Sequence, residues 1–185
     1  MDKTYSIVIH PKDPIIKLFR SFKNKLYNKI GVYGSCDSVA HITISEFKAT
    51  DQELKYIIEK LRIIAQNEEC FDTIFDKVIY SDRSKSIIIL PCEQGNENFK
   101  KLLRNVRQKI KGYNSKSNAH LTIGRKLTHD QLLKSMDLFS DVRFDFHCNQ
   151  IALRKFNQNI RQFEIIQIFP LSGKPNKTHQ LSLEF

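Results

Sequence analysis

The sequence contains no tryptophan, two methionines, five prolines and six glycines. So little proline and glycine excludes a collagen-like chain or a low-complexity linker. No Gly-rich phosphate loop and no Gly-x-Ser-x-Gly elbow occurs, so the P-loop and serine-hydrolase readings lack their motifs. The longest purely aliphatic run is Ile87-Ile88-Ile89-Leu90, far short of the ~20 residues that a membrane helix needs. After Met1-Asp2-Lys3 the apolar stretch is broken by His10 and Pro11, which predicts no secretory signal. Cys36, Cys70, Cys92 and Cys148 form no Cys-x-x-Cys pair, so zinc and dithiol redox sites fail on spacing, and free thiols in a reducing cytoplasm are expected. Acidic residues are scarce as well: twenty Asp and Glu face thirty Lys and Arg, for a net charge of +10. That excess suggests a polyanionic partner, nucleic acid before a membrane surface.

At 185 residues, 41% hydrophobic and 27% charged, the chain reads as one folded domain with a proper core. It states one pattern twice, over about residues 4–80 and 85–170. The first copy opens on an alternating, β-branched stretch, Tyr5 to His10, stopped by Pro11. Asp13-Pro14 then starts a helix whose apolar residues (Ile15, Phe19, Phe22, Leu26, Ile30) recur at three- and four-residue steps up to Gly31. A polar loop leads to Val39–Ile44, read as a strand. Thr50-Asp51-Gln52-Glu53 is a capping box for a second helix, and Phe71 to Tyr80 is the closing strand.

The second copy repeats this order: a strand from Lys85 to Pro91, a helix through Phe99, Leu103, Val106 and Ile110 to Gly112, and the run Ala119–Ile123. Thr128-His129-Asp130-Gln131 is again a capping box, for a helix running to Phe139. A strand from Phe144 to Arg154 and a last one from Phe163 to Pro170 follow, with a loop from Ser172 to Lys177 and a short strand at Leu181 to Phe185. Such a repeat predicts an α+β, bilobal fold: two pseudo-twofold-related antiparallel sheets, helices on the outer faces and a central cleft.

The most informative matching positions are His41-Ile42-Thr43-Ile44 and His120-Leu121-Thr122-Ile123. Strand residues two apart share a face, so each His/Thr pair points away from its aliphatic neighbours. If the pseudo-twofold brings those faces together, two imidazoles and two hydroxyls converge. Histidine titrates near neutrality, so one imidazole can accept a proton while the other donates one. The threonine hydroxyls can donate to non-bridging phosphate oxygens where charge develops. The pattern is that of a phosphodiester site, with His41 and His120 as catalytic and Thr43 and Thr122 as phosphate-binding candidates. No carboxylate cluster or regular His spacing suggests a metal, and no cofactor is implied.

On these motifs the chain resembles the 2H phosphoesterase superfamily, in the branch called 2′-5′ RNA ligase-like or cyclic phosphodiesterase proteins. The two His-x-Thr-x motifs carry the resemblance, and Ala119 to Arg125 is especially similar to the family's second motif. It implies a bilobal fold, metal-independent catalysis and RNA-type substrates: 2′,3′-cyclic phosphates, 2′-5′ linkages or related nucleotides. The first motif is followed by Ser45-Glu46-Phe47 and lacks the basic residue that follows the second.

Tyr33 and Tyr113 lie in the loops before each motif and are candidates for stacking on a base. Arg125 is a candidate phosphate donor, although its odd offset from His120 puts it on the opposite face unless the strand bulges. His10, His129, His147 and His179 have no repeat partner and are read as structural or solvated. Three functions fit: a monomeric cytoplasmic phosphodiesterase acting on RNA or a nucleotide, an RNA-binding module with little chemistry, or RNA end-joining at the same site. The entire net charge lies in two equivalent segments, Lys12 to Lys29 and Glu97 to Lys111. Both belong to helices expected to face away from the cleft, where a solvated charged face is the ordinary outcome.

Overall fold

The computed structural model describes residues 2–113 and 116–173. Its elements follow in the order β1 (Lys3–Ile9), α1 (Asp13–Ile30), β2 (Ile42–Ala49), α2 (Asp51–Asn67), β3 (Phe71–Ser81), β4 (Ser86–Pro91), α3 (Glu93–Lys109), β5 (Leu121–Arg125), α4 (His129–Ser135), β6 (Phe144–Cys148), β7 (Gln150–Asn157) and β8 (Gln162–Pro170). Lys177, His179 and the expected strand Leu181 to Phe185 lie outside the described residues. The class is α+β and bilobal, with two four-stranded antiparallel sheets ordered β2-β1-β7-β8 and β5-β4-β3-β6.

Local signals place the helix ends. Both capping boxes form: Thr50 accepts from the Glu53 N–H and Thr128 from the Gln131 N–H, while each N3 side chain reaches back to the cap backbone. Gly31 ends α1 at φ 76°, a left-handed conformation that glycine adopts without Cβ strain. Helix α4 is shorter than the periodicity predicts. It stops at Ser135, Asp137 takes φ 65°, and the Phe139 N–H turns to the Tyr80 hydroxyl instead of continuing the helix.

The strands are shared between the lobes differently from the repeat. β3, expected to close the first copy, pairs with β4 and β6 in the second sheet. The cause is local: β3 and β4 are joined by the short turn Asp82–Lys85, with Lys85 at φ 49°, and tightly joined strands pair with each other. The expected single strand from Phe144 to Arg154 is broken at Asn149 into β6, which stays in the second sheet, and β7, which crosses to pair with β1. Each sheet therefore contains strands from both copies.

The helices cross over too. α1 packs on β5 and α4, and α3 packs on β3 and β4 and reaches β2. Phe75, Phe99, Phe144 and Phe146 interlock between α3 and the second sheet, with ring centroids 5.2–5.9 Å apart, a spacing favourable for aromatic pairs. No helix among the described residues is long and apolar enough to cross a membrane.

Candidate active site

The two motif histidines sit one residue before their strands, since β2 begins at Ile42 and β5 at Leu121 rather than at the earlier positions expected. The aliphatic partners Ile42, Ile44, Leu121 and Ile123 are fully buried, while His41, Thr43, His120 and Thr122 are only half-buried. All four polar residues line one pocket of about 210 Å³, together with Ser38, Val39, Ser84, Ser86, Ile88 and Arg125.

Each imidazole is oriented in the same way. His41 Nδ1 lies 2.7 Å from the Val39 carbonyl oxygen, and His120 Nδ1 lies 2.8 Å from the Asn118 carbonyl oxygen. A carbonyl only accepts, so Nδ1 carries the hydrogen in both rings and Nε2 is left for the pocket. In each copy the acceptor is the residue two before the histidine, so the repeat preserves the imidazole's orientation as well as its position.

Both motif strands carry a β-bulge at the same place. Against β1, Ser45 pairs with Ile7 and Thr43 with Val8, which leaves Ile44 as the extra residue. Against β4, Gly124 pairs with Ile87 and Thr122 with Ile88, which leaves Ile123 extra. A bulge shifts the alternation by one, so the residue five after each histidine returns to the His/Thr face. Arg125 accordingly lines the pocket. Glu46 occupies the equivalent position in the first half, half-buried and paired with Ser6 as Arg125 is with Ser86.

The tyrosines do not behave as the sequence suggests. Tyr33 is 5% exposed, and its hydroxyl faces the carbonyls of Lys23 and Ile123 at 3.3 and 3.5 Å. Its ring is part of the core and is not presented for stacking. Burial accordingly pushes its phenol above the usual range. Tyr113 is 43% exposed but is absent from the pocket lining, and its backbone exchanges hydrogen bonds with Glu46 at 2.7 and 3.0 Å. Gly112 makes that approach possible, because a Cβ there would collide with Ser45 Oγ and the Glu46 carbonyl.

Several contributors escaped the sequence reading. Ser84 and Ser86 share a hydrogen bond of 2.7 Å in the pocket wall; the repeat could have flagged them, since Ser6 and Ser86 both lie five residues before a strand-ending proline. Arg154, from β7, is 8% exposed, donates to Ser6 Oγ at 3.1 Å, and stacks over Phe163 at 5.1 Å. Burial lowers its pKa to about 10, so it remains a cation at neutral pH. Nothing in the sequence pattern predicts its place, because β7 crosses into the first sheet from far along the chain.

These cations act on His41. Burial first, then Arg154, and to a smaller extent Arg125 and Lys23, bring its pKa down to about 3, against a weaker upward pull from the Val39 carbonyl. His41 is therefore neutral at physiological pH, with its Nε2 lone pair free. Among the described residues, no group of three or more His, Cys, Asp or Glu side chains could hold a metal ion. His129 and His147 pair with Asp82 and Asp72 on the surface, consistent with their bland reading.

Residues 11–159 match the 2′-5′ RNA ligase superfamily. The chain belongs to that superfamily. No curated protein sequence is significantly similar to this member of the 2′-5′ RNA ligase superfamily, but solved structures share its fold. Escherichia coli LigT complexed with 3′-AMP superposes with a TM-score of 0.68 at 12% identity, covering 93% of this chain and 99% of that one. LigT in its apo form gives 0.65 at 11% identity, with the same coverage. TT0787 of Thermus thermophilus gives 0.63 at 13% identity, covering 92% and 98%. At these identities the likeness is one of fold, and it spans both lobes.

Proposed function

We propose that the protein is a phosphodiesterase that acts on RNA-type phosphodiesters, a 2′,3′-cyclic phosphate or a 2′-5′ linkage, by two-histidine acid/base catalysis without a metal. The observation that carries this reading is the pair of imidazoles, each fixed through Nδ1 and each lining one polar pocket. A nucleotide as substrate is in keeping with the LigT fold, whose structure is known with 3′-AMP.

In this reading His41, neutral beside Arg154, is the base. Its Nε2 takes a proton from water as the water oxygen attacks phosphorus. His120, as imidazolium, keeps Nδ1–H on the Asn118 carbonyl and gives its Nε2 proton to the departing ribose oxygen. The P–O bond to that oxygen breaks, a nucleoside monophosphate leaves, and the two rings exchange their protons through solvent. Thr43, Thr122 and Arg125 hold the non-bridging oxygens, where negative charge grows in the transition state.

A panel of 2′,3′-cyclic nucleotides, 2′-5′ oligonucleotides and RNA ending in a cyclic phosphate, with product analysis, tests the reading. His41→Ala and His120→Ala should each lower kcat by about 10²–10⁴-fold, while EDTA leaves the wild-type rate unchanged. Retained turnover in either variant would sink the mechanism. Salt-dependent RNA binding with no product from any substrate would favour a binding module, and joined RNA ends would favour ligation.

A further inference from the structure

The bulges create a problem that the fold solves in the same way twice. An extra residue in one strand has no partner in the ladder, and a buried carbonyl without a donor is costly. The residues concerned, Ile44 and Ile123, are both fully buried, three positions after their histidines.

In both halves a cation from the opposite copy's first helix supplies the donor. Lys23, on α1, is 2% exposed and donates to the Ile123 carbonyl at 3.1 Å. Arg107, on α3, donates through Nε to the Ile44 carbonyl at 2.9 Å. Each cation has a second grip, on the loop before the histidine of its own copy. Lys23 donates to Ser38 Oγ at 3.1 Å and to the Ser35 carbonyl at 2.7 Å. Arg107 donates through Nη2 to the Ser117 carbonyl at 2.8 Å. Ser38 and Ser117 each lie three residues before their histidine.

Thus Lys23 ties the loop before His41 to the strand after His120, and Arg107 ties the loop before His120 to the strand after His41. The two residues are one helical turn apart in the repeat, Lys23 standing twelve residues after Pro11 and Arg107 sixteen after Pro91. The shared feature is therefore the contact and not the sequence position.

We propose that Lys23 and Arg107 are positioning residues: a reciprocal pair of cross-lobe staples that set the two imidazoles against each other across the pocket. All three Lys23 donors are used, so its ammonium holds a fixed position. The Arg107 fork holds two carbonyls in a set geometry. Acid/base transfer to opposite sides of one phosphorus depends on that registration, and a displacement of about 1 Å can cost roughly 10²-fold in rate.

The kinetic arm of the test rests on the phosphodiesterase reading; the structural arm does not. Hydrogen exchange read by peptide mass spectrometry on Lys23→Met should show lost protection in residues 33–38 and 121–125 together. Arg107→Gln should show it in 42–46 and 116–120 together. In each variant the other variant's pair should keep wild-type exchange. With 2′,3′-cyclic AMP as probe, both variants should lose about 10- to 100-fold in kcat, with KM within about twofold. Arg107→Lys, which keeps the charge without the fork, should recover only part of that loss.

Uniform loss of protection, or loss confined to the loop of the cation's own copy, would overturn the staple. So would a kcat retained despite the crossed exchange pattern. Should Lys23→Met fail to fold, Lys23→Gln and the Arg107 arm decide the matter. If the wild-type protein cleaves 2′,3′-cyclic AMP too slowly, the substrate of the panel that it does cleave takes its place; if it cleaves none of them, the catalytic reading fails and exchange alone decides whether the staples exist.

Discussion

The two halves of the pocket share a skeleton and differ in charge. Each has a histidine fixed through Nδ1, a threonine two residues on, and a bulge that turns the fifth residue back to the same face. At that fifth position the first half has Glu46 and the second Arg125. The first half also receives Arg154 from β7, hydrogen-bonded to Ser6, whereas Ser86, the counterpart of Ser6, opens into the pocket beside Ser84. Repetition thus supplies two imidazoles in matched orientation, and its breaking distinguishes them. The second half has an exposed cation, Arg125, in the pocket lining, while the first has a buried one, Arg154, that helps to keep its imidazole neutral.

The largest test of that comparison is to make the halves alike. Arg125→Glu should lower kcat/KM for a cyclic nucleotide by more than about 10²-fold, since it removes a charge-assisted donor and adds repulsion. Arg125→Lys should retain part of the activity. Glu46→Gln should change kcat/KM by less than about threefold, and equal effects at positions 46 and 125 would remove the asymmetry.

A second test uses the staple lysine on α1. Burial first, then Arg20 and Arg125, lower the Lys23 pKa from 10.5 to about 8. Between pH 8 and 10.5 the unfolded chain binds more protons than the native one, so stability should rise with pH across that window. The whole effect is about 3 kcal/mol. Below that window the full burial cost applies. Denaturant titrations of wild type and Lys23→Met at about pH 7.5 and 9.5 should show the rise only in the wild type; identical slopes would mean that Lys23 is solvated.

A third concerns how each motif strand is docked beyond its bulge. In the first half the Gly112 backbone lies against Ser45 and Glu46, so Gly112→Ala should cost about 1–3 kcal/mol by overpacking. In the second half the contact is a side chain, Ser35 Oγ accepting from the Arg125 N–H at 3.0 Å, and Ser35→Ala should cost only about 1 kcal/mol. Thermal unfolding of the two variants measures the difference.

The smallest effect is electrostatic. Arg154→Met should move the His41 titration upward, toward the ordinary imidazole range, as read by histidine NMR titration. The sign for stability follows: with its folded pKa below the unfolded value, His41 makes the protein lose stability as the pH falls from about 6.5 toward 3. Replacing Arg154 should make that loss less steep.

Sequence by itself was enough for whatever depends on near neighbours. Alternation and helical steps place β1 and α1, hydrogen bonding within four residues makes Thr50 and Thr128 caps, and the internal repeat singles out His41, Thr43, His120 and Thr122. Tyr33 misled because a tyrosine in a polar loop has the same local signature whether it faces solvent or, as here, turns its hydroxyl to buried carbonyls. The charged helices misled as well: Lys23 and Arg107 have the same local signature as the solvated cations beside them, and only the packing of α1 and α3 across the copies sets them apart. Tertiary structure alone decided which sheet β3 and β7 join, that both motif strands bulge, that Arg154 and Glu46 flank Ser6 on β1, and that a lysine and an arginine bridge the two halves. The physical reason is that these are contacts between residues up to a hundred positions or more apart. They are selected by pairing between distant strands and by the need to satisfy buried carbonyls, and neither leaves a period or a spacing in the chain.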